Sequence, residues 1–228
     1  MTPGKRLLRL AQLAGNGHQH IWDCCCDHGQ LGAALLNANA AEQVHFVDIV
    51  PALMTRLEQQ LSQWYPGGGW QTWCLDVTNL PLQHMTGRQR VIIAGVGGEL
   101  MARMLTSLTP RLTGLDVDFL LCAVNHQQHL RQTLRTLGFG LHHEELLEEN
   151  HRCYELLHVC PPPHTQPQPS LVGEHIWLAH NEQQHATANR YYQRTLQHLT
   201  RMQQGGRTDV THWIETLHQQ TEHLRSDA

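Results

Sequence analysis

Charge is what this sequence has least of. Asp, Glu, Lys and Arg make up 16% of its 228 residues, against about 25% in an average soluble domain. The only lysine is Lys5, and the formal net charge is -4 with histidine neutral. Such a composition does not announce a nucleic-acid binder, which would carry a cationic surplus. No apolar run approaches about 20 residues, so no spanning helix is expected. The opening MTPGKRLLRLAQLAGNG has too short an apolar stretch for a secretory leader, and the expected location is cytoplasmic. The seven cysteines include no C-x-x-C pair. Three of them, Cys24, Cys25 and Cys26, are consecutive and on a strand would point to alternating faces, so they are read as reduced thiols, mostly small core residues. His126 and His129 lack a matching acid or cysteine in the sequence, and no metal site is expected. In place of charge stand 19 histidines and many glutamines.

Short apolar runs alternate with amphipathic stretches. Strands are predicted at 20–25, 44–48, 70–75, 90–94 and 119–123, with helices after most of them. Leu31–Leu36 lies in the first helix; Leu53, Met54, Leu57, Leu61 and Trp64 share one face of the helix that Pro51 opens. Leu100, Met101, Met104, Leu105 and Leu108 mark a third helix, and Leu130, Leu134 and Leu137 a fourth. This alternation implies a parallel sheet covered on both faces. The stretches Phe139–Leu147 and Cys153–Cys160 have only Glu149-Asn150-His151 between them, too short for a crossover, and must be antiparallel. Five parallel strands closed by an antiparallel pair resemble the Rossmann-like α/β sheet of class I S-adenosylmethionine (SAM) methyltransferases. The proline-rich segment 161–169 supports neither helix nor ladder. It divides a domain, residues 1–160, from residues 170–228, where Trp177–Met202 and Val210–Leu224, broken at Gly205-Gly206, read as a helical hairpin. Val210, Trp213, Ile214, Leu217, Thr221 and Leu224 form a narrow stripe on its second helix.

In an open parallel sheet ligands sit at the carboxyl ends of the strands. Asp23 ends the first strand, Asp48 the second and Asp76 the third; Gly95-Val96-Gly97-Gly98 follows the fourth, and Asn125-His126 the fifth. An acid at one such end is often only a helix cap or turn residue, and the glycines only a flexible turn. Three acids on one edge together suit a ligand with a ribose and an amino-bearing base, and glycines at a strand-to-helix junction let a ligand approach the backbone. A G-x-G-x-x-G dinucleotide fingerprint is missing, since Cys25 stands where its first glycine belongs and Leu100 spoils the Gly95 reading; a phosphate-binding G-x-x-x-x-G-K-[ST] loop is also missing.

The segment Asp23-Cys24-Cys25-Cys26-Asp27-His28-Gly29-Gln30-Leu31 resembles the D-x-G-S-D-H-A-x-L motif of the bacterial tRNA (adenine-N1) methyltransferases that modify the adenine at tRNA position 22. Ile93-Ala94-Gly95-Val96-Gly97-Gly98-Glu99-Leu100 is similar to their I-A-G-M-G-G-x-L motif. Asn125 falls on the asparagine of their Q-P-N element, and Gly138-Phe139, Glu144–Glu149 and Tyr154-Glu155-Leu156-Leu157 resemble their closing segment. The likeness runs from about Arg6 to Val159 and more loosely through a C-terminal helical hairpin. It implies SAM as cofactor, with Asp23, Cys25, Asp27, His28 and Gly29 around its methionine portion and Asp48, followed by Ile49, at the ribose. Asp76, followed by Val77, would meet the adenine amino group, and Gly95, Val96, Gly97 and Gly98 would form the floor between cofactor and target base. Two positions depart from the pattern: Cys25 replaces a loop glycine, and Ala123-Val124 replace the Q-P pair.

Methylation of adenine N1 needs orientation and desolvation rather than a covalent enzyme intermediate, and a stacked base must first be everted. Asn125 is the candidate for holding its edge and His28 the next, although a histidine beside a loop acid is as readily a structural bridge. The expected partner is tRNA, met by Lys5, Arg6 and Arg9 and by the C-terminal hairpin. Residues 161–228 hold five arginines against six acids, so a packing or dimerisation hairpin is the competing reading. Two other functions stay open: methylation of a small molecule or protein, and a non-catalytic SAM- or RNA-binding module.

Overall fold

A computed structural model describes residues 3–206 and 209–225. The chain opens with helix α1 (Lys5–Ala14) and then alternates β1 (His18–Cys24), α2 (Gln30–Asn37), β2 (Ala41–Asp48), α3 (Pro51–Trp64), β3 (Trp70–Cys74), β4 (Gln89–Ala94), α4 (Gly98–Leu108), β5 (Val117–Cys122) and α5 (Gln127–Thr136). The hairpin β6 (Gly140–Glu149) and β7 (Arg152–Cys160) follows, then α6 (Glu182–Gln204), α7 (Thr211–Gln220) and the short α8 (Glu222–Arg225). One seven-stranded sheet results, in the order β3-β2-β1-β4-β5-β7-β6. The first five strands pair in parallel, while β7 runs antiparallel to both β5 and β6. The expected Rossmann-like sheet with its antiparallel pair is therefore present. Its order reverses between β1 and β4, and a crevice opens at the carboxyl ends of strands flanking such a switch point.

Each face of the sheet carries its own apolar core. Trp22, Val91, Ile93, Phe119 and Leu121 pack with α4 and α5 on one face; Ile21, Phe46, Ile92 and Leu120 pack with α1, α2 and α3 on the other. Cys24 joins the first core and Cys26 the second; strand alternation would put both on one face, but β1 ends at Cys24 and the left-handed backbone of Cys25 turns the chain before Cys26. Histidine supplies part of the buried polar surface. His45 stacks on Trp22 with ring centroids 3.9 Å apart, accepts from Trp73 Nε1 at 2.9 Å and meets His20 at 3.0 Å; burial first, then His20, pushes its pKa down to about 3. Two residues depart from the helix faces expected of them. Met54, Leu57 and Leu61 are buried in α3, but Trp64 is 58% exposed at the helix's last residue, and Leu100 in the first turn of α4 is also exposed. Both are terminal positions, where the stripe has run past the sheet it covers.

Helix α1 was not foreseen in the basic opening stretch. Its Leu10 and Ala14 are buried, and the buried Arg90 of β4 caps it by donating to the Leu13 and Ala14 carbonyls. That guanidinium also pairs with Asp118 at 2.5 and 2.7 Å. Burial raises the Asp118 pKa, but the hydrogen bonds from Arg90 and His158 outweigh it and hold the carboxyl well below its usual range.

The proline-rich segment lies along the end of α5 and the start of β6. Leu141 N–H donates to Pro167 O at 2.7 Å, and Arg135 donates to Pro169 O at 3.1 Å. In the tail the helix starts later than Trp177, because Asn181 caps α6 by accepting from Gln184 N–H at 2.9 Å. Trp177 instead closes a single 3-10 turn and is fully buried. A third core joins Trp177, Tyr191, Tyr192, Leu199, Val210, Leu217 and Leu224. Beneath it Arg131, 1% exposed, donates to Glu155 and Glu144 at 2.7 Å each and to Ser170 O at 2.9 Å. Glu155 also accepts from Tyr191 of α6 at 2.6 Å, and Glu144 from the Glu174 and His175 amides.

Candidate active site

Asp23 is the last buried polar residue of β1, and its Oδ2 accepts from Gly32 N–H in the first turn of α2 at 2.8 Å. The acid thus caps the following helix. Burial raises its pKa to about 7 against that hydrogen bond, and the charge of Asp48 adds to the rise. The chain then makes a compact loop in which Cys25, Asp27 and Gly29 all have left-handed backbones, at φ 59°, 49° and 67°. Cys25 therefore holds a conformation that favours glycine, at a cost of roughly 1 kcal/mol. Burial pushes its thiol up to about 12, with the charges of Asp48, Asp23 and Asp76 adding to the rise.

Asp48 and Asp76 both make local contacts. Asp48 accepts from the Asp27 amide at 3.2 Å and from the Val50 amide at 3.1 Å, tying the end of β2 to the β1 loop. Asp76 caps a 3-10 turn, accepting from the Thr78 hydroxyl and amide at 2.7 and 2.8 Å, and these bonds hold its pKa below the ordinary value. Each ionised carboxylate offers about four lone-pair sites, so acceptor capacity remains on both. Ile49 is exposed beside Asp48, whereas Val77 is buried in the core.

The glycine loop after β4 divides into two parts. Gly95 is left-handed, at φ 83°, with open space where a side chain would project. Gly97 and Gly98 are small for a different reason: a Cβ on Gly97 would meet Asn125 Oδ1 at 2.5 Å, and one on Gly98 would strike the His126 carbonyl. They seat the β5–α5 turn, which is fastened by Gly98 N–H to Asn125 O at 2.9 Å and Val124 N–H to Val96 O at 3.0 Å. His126, left-handed at φ 55°, finds the acid its sequence neighbours lack in Glu99, 3.5 Å away. Asn125 is exposed at the top of this turn. His28 is exposed on the β1 loop, 3.6 Å from Asp27.

Two cavities border these groups. The first, about 380 Å³, is walled by Asp23, Cys25, Asp27, His28 and Gly95, with Arg6 and Leu7 of α1 closing it. The second, about 400 Å³, opens between the Asn125 turn and α6. The part played by α1 was not legible because nothing in a basic N-terminal stretch signals a pocket wall. Its two arginines are engaged: Arg9 makes a bidentate pair with Glu145 at 2.7 and 2.6 Å, and the Arg6 amide donates to Glu149 at 2.9 Å while its guanidinium lies over Tyr154.

The family described as a methyltransferase domain matches residues 4–157. No curated protein matches the sequence. Among solved structures the chain is similar to the B. subtilis M1A22 tRNA methyltransferase TrmK, with TM-score 0.72 and 20% identity over 99% of this chain and 98% of that one. It is also similar to M. capricolum TrmK in complex with S-adenosyl-homocysteine (TM-score 0.71, 14% identity, 100% and 98% covered). A third is a putative tRNA (m1A22) methyltransferase from Streptococcus pneumoniae in complex with S-adenosyl-L-methionine (0.68, 18%, 99% of both). At such identities the likeness is one of fold, and it extends through the C-terminal helices.

Proposed function

The chain belongs to the methyltransferase-domain family, and within it we propose a SAM-dependent enzyme that methylates N1 of an adenine in tRNA, position 22 by resemblance. The observation that carries this reading is Asn125. It stands on Gly97, at the edge between the glycine loop and the second cavity, where a hydrogen-bonding amide would meet a base presented to the first.

The residues present fit the cofactor. A cavity of about 380 Å³ lies within the range of small-ligand sites, about 300–1,000 Å³. Its buried acid at β1 and the unobstructed backbone at Gly95, with spare acceptors on Asp48 and Asp76 at the neighbouring strand ends outside its walls, suit a ligand that is cationic at one end and carries a ribose and an amino group at the other. When bound, SAM supplies an electrophilic methyl on a sulfonium. In-line attack by the N1 lone pair leaves the adenine cationic, so the protein has no proton to remove from the nucleophile. Its work is to hold the two reactants in line and to exclude water. Asn125 would hold the base edge, the open backbone at Gly95 would let the base approach closely, and the acids of the edge would favour the cationic product. His28, exposed beside Asp27, is assigned to closing the cofactor side.

Incubating the protein with unmodified tRNA and methyl-labelled SAM, then mapping the modified nucleoside, tests this reading; label at any atom other than adenine N1 would refute it. One observation favours the non-catalytic alternative. The Cys25 side chain stands in the first cavity where the resembling family has glycine. The proposal requires SAM binding, measured by titration calorimetry, that Asp48→Ala weakens, together with methyl transfer to tRNA; binding without transfer would favour the module.

A further inference from the structure

The second cavity has a property that the composition of the chain conceals. Asn125 and His126 form one of its walls and α6 the other, with Arg194, Gln197, His198 and Arg201 along its rim. No acid lines it, although the chain as a whole carries a net charge of -4. Arg194 and Arg201 are exposed. Among the described residues neither enters an ion pair or a side-chain hydrogen bond, whereas Arg190, one turn earlier on α6, is held by Glu148 and Thr187. The N-terminal arginines differ too, since Arg9 is spent on Glu145 and Arg6 on Glu149. Cations without partners thus gather on one face of α6, opposite Asn125.

We infer that this groove binds RNA phosphates, and that Arg194 and Arg201 hold the backbone on either side of the nucleotide offered to Asn125. The inference rests on the tRNA reading above and adds to it the surface and the kind of contact. Seven residues separate the two arginines, about 10.5 Å along a helix axis, so they reach separate phosphates rather than one. A volume of about 400 Å³ is at the small end of ligand sites and admits a single unstacked nucleotide, not a duplex. Gln197 and His198 lie between the arginines on the same rim and offer hydrogen bonds to the sugar-phosphate chain. The local sign of charge, not the total, sets whether a phosphate is attracted at this distance, because exposed charges more than about 8–10 Å away are screened at physiological salt.

The test uses the full-length protein and an unmodified tRNA transcript, with affinity measured by fluorescence anisotropy over a range of KCl concentrations. The variants are Arg194→Gln with Arg201→Gln, and Arg56→Gln on α3 as a control outside the groove. The double variant is expected to bind about 10- to 100-fold more weakly, with the slope of log affinity against log salt reduced by about 1.4, or about 0.7 for each phosphate of a single strand. SAM titration and the thermal midpoint should match wild type, and Arg56→Gln should leave affinity and slope unchanged. A double variant with the wild-type slope overturns the groove assignment while leaving the tRNA reading intact. Wild-type protein that binds SAM but no tRNA overturns the tRNA reading itself, and the groove assignment with it.

Discussion

Replacing Asp23 with asparagine should make the protein more stable, and more so the higher the pH. The carboxyl is buried at the end of β1 with its pKa raised to about 7, first by burial. In the unfolded chain the same group titrates at its ordinary value near 3.8. Between those values the folded state holds a proton that the unfolded state has released, so stability falls as pH rises through this window. At 1.36 kcal/mol per pH unit the full excursion is about 4 kcal/mol, nearly all of it lost by pH 8. An asparagine keeps an acceptor for the Gly32 amide and never ionises. Urea unfolding of both proteins from pH 4 to pH 8 should show a small difference at pH 4 that widens to about 4 kcal/mol in favour of Asp23→Asn at pH 8. For a chain of this length that is about 10 °C in midpoint. Parallel stability profiles would refute the argument, since they would mean that the carboxylate is as well solvated folded as unfolded. A stabilising substitution at a buried acid also identifies that acid as retained for something other than folding.

Cys25→Gly should relieve roughly 1 kcal/mol of left-handed backbone strain and enlarge the first cavity; calorimetry should show tighter SAM binding, and unchanged affinity would mean the side chain does not obstruct the ligand. Gly98→Ala forces a methyl against the His126 carbonyl and should shift the turn carrying Asn125, lowering stability by about 1–3 kcal/mol and reducing methyl transfer more than SAM binding; a wild-type melt would show that the turn yields freely. Arg131→Met leaves Glu144 and Glu155 buried without their cation and should cost about 3–5 kcal/mol, with the segment before α6 becoming the first site of limited proteolysis; protection there would place the anchor of the tail elsewhere.

The sheet was legible because its signals are local. Strand-length apolar runs, the helical spacing of Met101, Met104, Leu105 and Leu108, and the short link at Asn150-His151 each constrain a neighbour in sequence. That link is a two-residue turn with both residues left-handed, at φ 50° and 60°, the geometry a tight hairpin demands. The edge bearing Asp23, Asp48, Asp76 and Gly95 followed from topology alone. What was not legible depends on pairs far apart in the chain. Gly97 and Gly98 read as room for a ligand, yet they make room for Asn125 and His126. The cluster of Lys5, Arg6 and Arg9 had no acid nearby in sequence, and β6 supplies Glu145 and Glu149 across more than 130 residues. The free face of α6 does not show in the balance of arginines and acids over the whole tail, because phosphate attraction is decided by which of them share a surface.

The Arg131 network carries one more consequence, for how the molecule comes apart. Its carboxylates belong to β6 and β7, its guanidinium to α5, and its remaining partners to Ser170, Glu174, His175 and Tyr191. Cutting the chain after the last strand would therefore do more than remove a substrate arm: it would strip Glu144 of two amide donors and Glu155 of a phenol, and open a charged triad to water beneath the catalytic sheet. A truncated enzyme that fails on tRNA would on that account say little about RNA contact. The tail is a structural tenant of the methyltransferase half, and the RNA contact proposed for it has to be tested with point substitutions on the outer face of α6 that leave the triad closed.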